Sequence, residues 1–343
     1  MNFKEKLILI KGLMIDQGVG GVVNLVRTYF SNKFEPIHVK SLPISLQIEP
    51  TVKCNLRCVM CARSYKNIKK PDMTLDQLKH ILSQFNYARD IKLQGLGEPL
   101  LNKEFFSMLE FLKGRGLRVE ITTNGTVLDE ATSRKIIALG VDHIAISIDS
   151  ASKKQYEEIR KGAKFEKVVE NLRRFNKLNK NERTKVAVWT VATEDNIPGI
   201  PDIIKLLSEI GVKNYLVQTP HSWGLSNVKK ALKDIDTKRH KNMLLEYKNI
   251  ANNSGIDLQL MNVPFLKKKS KRVCKWPWMS VYITVDGYVT PCCMQGSDPE
   301  IINFGNVFKQ NFSEIWNNKK YKDFRAKLKS KKPPEVCRGC PGY

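Results

Sequence analysis

Cysteines are the residues of this 343-residue chain whose type and spacing could do chemistry, and there are eight of them. Three fall in one short run, Cys54-Asn-Leu-Arg-Cys58-Val-Met-Cys61, after which 212 residues pass before Cys274. Cys292, Cys293, Cys337 and Cys340 complete the set. Disulfide scaffolds are short secreted chains with cysteines throughout. Thiols grouped near the two ends of a long chain read instead as metal ligands. Three thiolates in one loop can curl around a single centre. Zinc normally wants a fourth ligand, and none follows nearby. On a [4Fe–4S] cube three ligands leave one iron open to a small molecule, and such clusters are held by short cysteine runs. Cys274, Cys292, Cys337 and Cys340 make a second set of four, for which spacing leaves two chemistries open: a structural zinc site or a fully ligated [4Fe–4S] cluster.

These groups need a scaffold, and the chain offers one. From residue 44 short apolar strands (44–50, 91–96, 118–123, 143–149, 185–192 and 215–218) alternate with amphipathic helices near 75–86, 103–114, 128–138, 165–178 and 199–210. Six strands separated by helices mean parallel βα units. Asn124-Gly125 and Asp149-Ser150 follow strands as turns, and Gly140 closes a helix. Both a TIM-like and a doubly wound sheet fit, and in either the active site gathers at the carboxyl ends of the strands, where Cys54 begins. Residues 1–40 form a helical lead-in, with Phe3, Leu7, Ile10, Leu13 and Met14 at helical spacing among lysines. It either packs on the main domain or lies on a membrane surface. A charged helix near 226–250 and the basic run Lys267–Arg272 follow; the run is a solvated linker or an anion-binding surface. Then come a hairpin (281–285 and 288–290, turning at Asp286-Gly287) and a helix over 312–329. The expected organisation is a lead-in over 1–40, a core over 41–255 and a small cysteine-rich domain over 256–343.

The Cys54-x3-Cys58-x2-Cys61 run at the end of the first strand resembles the signature of radical S-adenosylmethionine (radical SAM) enzymes. The resemblance implies an α/β fold, a partial (β/α)6 TIM-like barrel, in which the amino and carboxylate groups of SAM chelate the open iron. Reductive cleavage of SAM then gives a 5′-deoxyadenosyl radical that attacks an unactivated carbon. Gly95-Leu96-Gly97-Glu98-Pro99 is similar to the family's Gly-Gly-Glu-Pro turn, with Gly95 one step early, and implies that Gly97, Glu98 and Pro99 border the SAM amino group. By the same resemblance Met60 packs near the adenine, and Asn124, Ser147 and Asp149 line the ribose and methionine portion. Arg160 looks like the arginine that pairs with the SAM carboxylate, for which a guanidinium fork is suited. Gln218 and His221 are candidates to face substrate.

Cys274, Gly287-x4-Cys292, Gly305-Asn306-Val307, Glu314-Ile315-Trp316, Arg325 and Cys337-x2-Cys340 resemble the SPASM and twitch auxiliary-cluster domains. Five cysteines here, against seven in the full pattern, imply one auxiliary [4Fe–4S] cluster with Cys274, Cys292, Cys337 and Cys340 as ligands. Neighbours on a strand face opposite ways, so Cys293 is expected to be a leftover thiol. Such a cluster accepts or relays an electron, favouring net oxidation of a peptide, sugar or lipid substrate. A low-potential donor such as flavodoxin or ferredoxin is implied as partner. The alternatives are modification of tRNA or another nucleic acid and a non-enzymatic metal-binding protein. Hydrophobic residues at 42% and charged ones at 27% exclude a disordered or collagen-like chain. The net charge of +24 suits an anionic partner. Aromatics at 8% are not interleaved with the basic runs, which argues against nucleic acid. With no export signal in view and free thiols to load, the expected location is cytoplasmic, with the inner membrane face as a candidate contact.

Overall fold

The computed structural model of the chain describes residues 3–220, 237–261, 274–294, 296–338 and 340, and the side chains of the first helix from Gln17 onward. His221, the start of the charged helix expected near 226–250 and the basic run Lys267–Arg272 lie outside the described residues. That charged helix is seen from Thr237 to Asn253.

A sheet of ten strands organises the molecule. Seven are consecutively parallel: β1 (Ser45–Ile48), β3 (Asp90–Leu93), β4 (Arg118–Thr123), β5 (His143–Ser147), β7 (Lys185–Val191), β8 (Asn214–Gln218) and β9 (Asp257–Met261). Between them run α2 (Leu75–Ser83), α3 (Phe105–Gly114), α4 (Glu130–Leu139), α5 (Lys153–Ile159), α6 (Phe165–Leu178) and α7 (Ile200–Ile210). Period-two patterning makes the strands. In β7, Val186, Val188 and Thr190 are buried while Ala187, Trp189 and Val191 are half-exposed on the other face. The buried row continues through Ile91, Leu93, Val119, Ile121, Ile144 and Ile146 to meet the helices. Local chemistry sets the helix ends. Asp129 caps α4 by accepting from Thr132 N at 2.8 Å, and Gly140 closes it at φ 69°.

The tail completes the other side of the sheet. β10 (Ser280–Ile283) pairs parallel with β1, and β11 (Tyr288–Thr290) and β12 (Gly305–Asn306) add antiparallel strands beyond it. Helix α1 (Phe3–Phe34) leaves helical geometry at Gly18 (φ 62°), so the lead-in is two helical pieces. Three expectations change. The parallel run has a seventh strand, β9, in the stretch between the charged helix and the basic run. The helix expected over 312–329 is two, Phe312–Trp316 and Lys319–Lys329. Asn318 breaks it by capping the second piece, accepting from Tyr321 N at 2.9 Å, while Asn317 bonds Val39 N and O, each at 2.9 Å. Between strands, a two-residue ladder unseen in the sequence joins β2 (Arg57–Cys58) to β6 (Arg160–Lys161).

Candidate active site

The chain leaves β1 at Ile48 and turns into the first thiol loop, which the β2–β6 ladder pins in place. Cys58 stands directly opposite Arg160, and Val59 N donates to Ile159 O at 3.0 Å. Cys61 N closes a turn on Cys58 O at 3.1 Å, Leu56 N points at Cys54 Sγ at 3.5 Å, and Arg63 Nε bonds Val52 O at 2.6 Å. Burial pushes all three thiols up, Cys58 to about 12, with neighbouring thiols adding to the effect at Cys58 and Cys61. A thiol kept neutral by burial ionises when a metal supplies the positive charge. None of the eight cysteines is in a disulfide. The buried Tyr156 hydroxyl, beside Cys58 and Arg160, has no hydrogen-bond partner in the protein. Among the described residues no three His, Cys, Asp or Glu side chains converge on a single-ion position. A cube carries its ligands on separate corners and needs no such convergence. The loop therefore fits an iron–sulfur cluster held by Cys54, Cys58 and Cys61.

The turn after β3 lies against this loop. Gly97 has no room for a side chain: a Cβ there would sit 2.4 Å from Thr51 O and 2.6 Å from Lys53 O. Glu98 N donates to Lys53 O at 2.8 Å. The Glu98 carboxylate is 2% exposed and accepts from Thr123 Oγ1 (2.8 Å), Asn124 N (2.7 Å) and Leu100 N (3.3 Å). Burial raises its pKa to about 7 against those three donors. A carboxylate offers about four acceptor positions, so roughly one remains for a ligand. Pro99 starts a buried 3-10 turn behind it. Asn124 donates through Nδ2 to Asn55 Oδ1 at 2.9 Å, 3.9 Å from Cys54 Sγ, and its Oδ1 accepts from Thr126. Its side chain thus braces the thiol loop. Ser147 ends β5 half-exposed, and Met60 is buried in the loop.

Asp149 and Arg160 are brought together as a pair. Arg160 Nε lies 2.6 Å from Asp149 Oδ2, with the aspartate fully buried. Asp149 Oδ1 also accepts from Val191 N at 2.8 Å. Burial works against the guanidinium, and the Asp149 carboxylate beside it holds it protonated. Ser152, not Asp149, occupies the position before α5. Sequence reasoning also missed Glu49. Fully buried at the end of β1, it accepts from Leu96 N (2.8 Å), Tyr282 Oη (3.0 Å) and Val285 N (3.2 Å). Glu49 thus joins the glycine turn to the tail hairpin. A Cβ on Gly95 would fall 2.3 Å from its Cγ, which explains why the first glycine of this turn stands one residue early.

The second thiol group gathers behind β10 and β11. Cys337 is electrostatically coupled to Cys340 and Cys274, Cys292 to Cys293 and Cys340, and Cys293 to Cys274. Burial raises Cys292, Cys337 (to about 12) and Cys293 (to about 11). Strand β11 ends at Thr290, so alternation along a strand does not separate Cys292 from Cys293. Cys293 is hydrogen-bonded by Gln47 and lies within reach of the Lys92 charge. Along the inner face of the sheet runs an open cavity with about 830 Å³ of empty space, lined by Lys92 and Glu120 and, at the amino ends of their strands, by His143, Lys185, Asn214 and Asp257 among others. Lys92 and Glu120, register partners on β3 and β4, pair at 3.0 Å. Gln218, at the end of β8, is half-buried.

A three-thiol loop at the carboxyl edge of an open parallel barrel, with a second thiol set at the sheet's other side, defines an iron–sulfur enzyme of the radical type. The profile of the radical SAM superfamily matches residues 48–217, and that of an iron–sulfur cluster-binding domain, SPASM, matches residues 274–341. The chain belongs to the radical SAM superfamily and is a SPASM-type radical SAM enzyme. Its cofactors are the SAM-binding [4Fe–4S] cluster, SAM and auxiliary iron–sulfur ligation in the tail. It is 29% identical over 316 residues, 86% of both chains, to the tungsten-containing aldehyde ferredoxin oxidoreductase cofactor-modifying protein of Pyrococcus furiosus. It is 25% identical to the PqqA peptide cyclase of Gluconobacter oxydans, over 88% of this chain and 83% of that one. The solved structure of Streptococcus suis SuiB bound to precursor peptide SuiA superposes with a TM-score of 0.69 at 16% identity, covering 88% of this chain and 70% of that one.

Proposed function

We propose that this enzyme oxidises or otherwise remodels an unactivated carbon of a peptide or a polar small molecule. When bound, the first cluster supplies the electron that breaks a C–S bond of SAM and so yields the 5′-deoxyadenosyl radical. Cys54, Cys58 and Cys61 hold that cluster. Gly97 lets the turn approach the loop closely, Glu98 keeps an acceptor position for the SAM ammonium, and Pro99 fixes the turn. Met60 covers the adenine, while Asn124 and Ser147 border the ribose. Arg160 presents the unpaired end of its guanidinium to the SAM carboxylate, and Asp149 orients it. Cys274, Cys292, Cys337 and Cys340 hold the auxiliary cluster, with Cys293 as the extra thiol on its substrate side.

The observation that bears on the substrate class is the inner face of the sheet, which Lys92 and Glu120 and, at the amino ends of their strands, His143, Lys185 and Asp257 line with both signs of charge. Charged groups solvated in a cavity suit a zwitterionic or hydrogen-bonding substrate and penalise an acyl chain. A relative named a peptide cyclase and another named a cofactor-modifying protein support a peptide or small molecule over a lipid. A flavodoxin- or ferredoxin-like donor supplies the low-potential electron. Cys337→Ala is the test of the auxiliary role. The variant should still form 5′-deoxyadenosine from SAM and dithionite while losing oxidised product and the auxiliary cluster's spectrum. Full product formation by a variant lacking that spectrum would refute an electron-accepting role.

A further inference from the structure

Helix α1 is built inside out. After Gly18 its inward face carries Gly21, Asn24, Thr28 and Ser31, all buried. Asn24 trades two hydrogen bonds with the Leu42 backbone, at 3.1 and 2.8 Å, and Ser31 Oγ lies 3.2 Å from Ser41 Oγ. The outward face carries Val19, Val23, Val26, Tyr29, Phe30 and Phe34, each 40 to 65% exposed. Steps of four, three, four and four residues from Val19 to Phe34 put five of these on one stripe, with Tyr29 to its side. A surface helix normally turns that stripe to the core. Here hydrogen bonds seat the polar side, and the apolar side faces out.

The exposure is not incidental. Of the eleven large hydrophobic residues exposed among the described residues, seven lie between 19 and 37, with Ile37 continuing the stripe. Contiguous apolar patches of this kind mark a surface that something covers. The segment is also held firmly. Lys275 Nζ donates to Asn32 O at 2.6 Å, Trp278 Nε1 to Pro36 O at 2.8 Å and Lys329 Nζ to Glu35 O at 2.8 Å. Charge identifies the occupant. Arg27, Lys33 and Lys40 are exposed on this segment, Lys33 lying 5.4 Å over the Phe34 ring. Its only acid after residue 16, Glu35, is half-buried and paired with Lys275.

We infer that α1, from Val19 to Phe34, lies in the interface of an anionic lipid bilayer and docks the enzyme on a membrane. Valine and aromatic side chains would enter the acyl boundary, and Arg27 and Lys33 would reach the headgroups from its flanks. The overall charge of +24 adds attraction to an anionic leaflet. A second copy of the chain fits less well, because a twofold contact would set the same cations against each other. No helix among the described residues is long and apolar enough to cross a membrane, which leaves this contact peripheral.

Cosedimentation of the full reconstituted enzyme with vesicles tests this, using phosphatidylcholine–phosphatidylglycerol and pure phosphatidylcholine. Wild type should bind the anionic vesicles, and V26S/F30S and R27E/K33E should each bind at least about tenfold more weakly. SAM cleavage without vesicles should stay unchanged in both variants, so a failure here is separable from a failure of the enzymatic reading. Absent binding to anionic vesicles overturns the proposal. So does binding that only R27E/K33E weakens, which would be the net charge acting without the helix. A wild-type dimer that V26S/F30S converts to monomer, without vesicle binding, would assign the face to a second copy.

Discussion

Arg160 owes its position to a ladder of two residue pairs, and its charge to a buried aspartate. Removing one partner of such a pair strands the other, at about 3–5 kcal/mol. Asp149→Ala should therefore lower thermal stability and weaken SAM binding together, whereas Arg160→Lys should weaken SAM binding with a smaller stability loss. Unchanged SAM affinity in both, measured by calorimetry, would remove the pair from the site. Glu98 makes a pH prediction. Its folded pKa of about 7 lies above the ordinary 4.5, so the folded state holds the extra proton between those values. Its contribution to stability is then full below 4.5 and lost as pH rises through 7 in SAM-free protein. SAM binding runs the opposite way, since only the carboxylate accepts from an ammonium with both oxygens. Affinity should fall as pH drops through 7, up to about tenfold per unit, and Glu98→Gln should flatten that slope. The cysteines stood out by type and spacing, whereas Glu98 and Arg160 were candidates only through the resemblance. The Asp149–Arg160 contact and Glu49 were not, because each depends on segments that only the folded sheet brings together.

Strands and turns carry the next level of control. Gly97 meets backbone, not movable side chain, at 2.4 Å, so Gly97→Ala must push the turn off the thiol loop. It should cost about 1–3 kcal/mol and most of the SAM affinity; a variant that binds SAM normally would show that the turn tolerates displacement. Six of the seven consecutively parallel strands, and five of the six helices between them, could be read from periodicity because burial repeats with the period of each element; the seven-residue α5 was missed. β9 could not, being one short alternating stretch, Asp257-Leu-Gln-Leu-Met261, paired by a strand far upstream. The split at Asn317-Asn318 escaped for a related reason. Two asparagines are tolerated inside a helix by pattern alone, and only the Val39 backbone that Asn317 bonds and the cap that Asn318 supplies favour the break.

In the whole molecule, tail and core share one sheet. β10 pairs with β1, the strand that delivers the first thiol loop, so the two thiol sets hang from neighbouring strands. Lys70–Asp286 at 2.6 Å and Glu49 tie the same two regions together. The tail therefore fixes the site's geometry as well as carrying thiols, which spacing alone could not reveal. The inverted face of α1 lies on the outside of this unit. The direct test of the account is anaerobic reconstitution of wild type and Cys58→Ala, with iron counted and 5′-deoxyadenosine measured after dithionite and SAM. Wild type should carry about eight irons per chain and release 5′-deoxyadenosine, and the variant about four and none. Colourless, zinc-loaded wild-type protein that leaves SAM intact would contradict it.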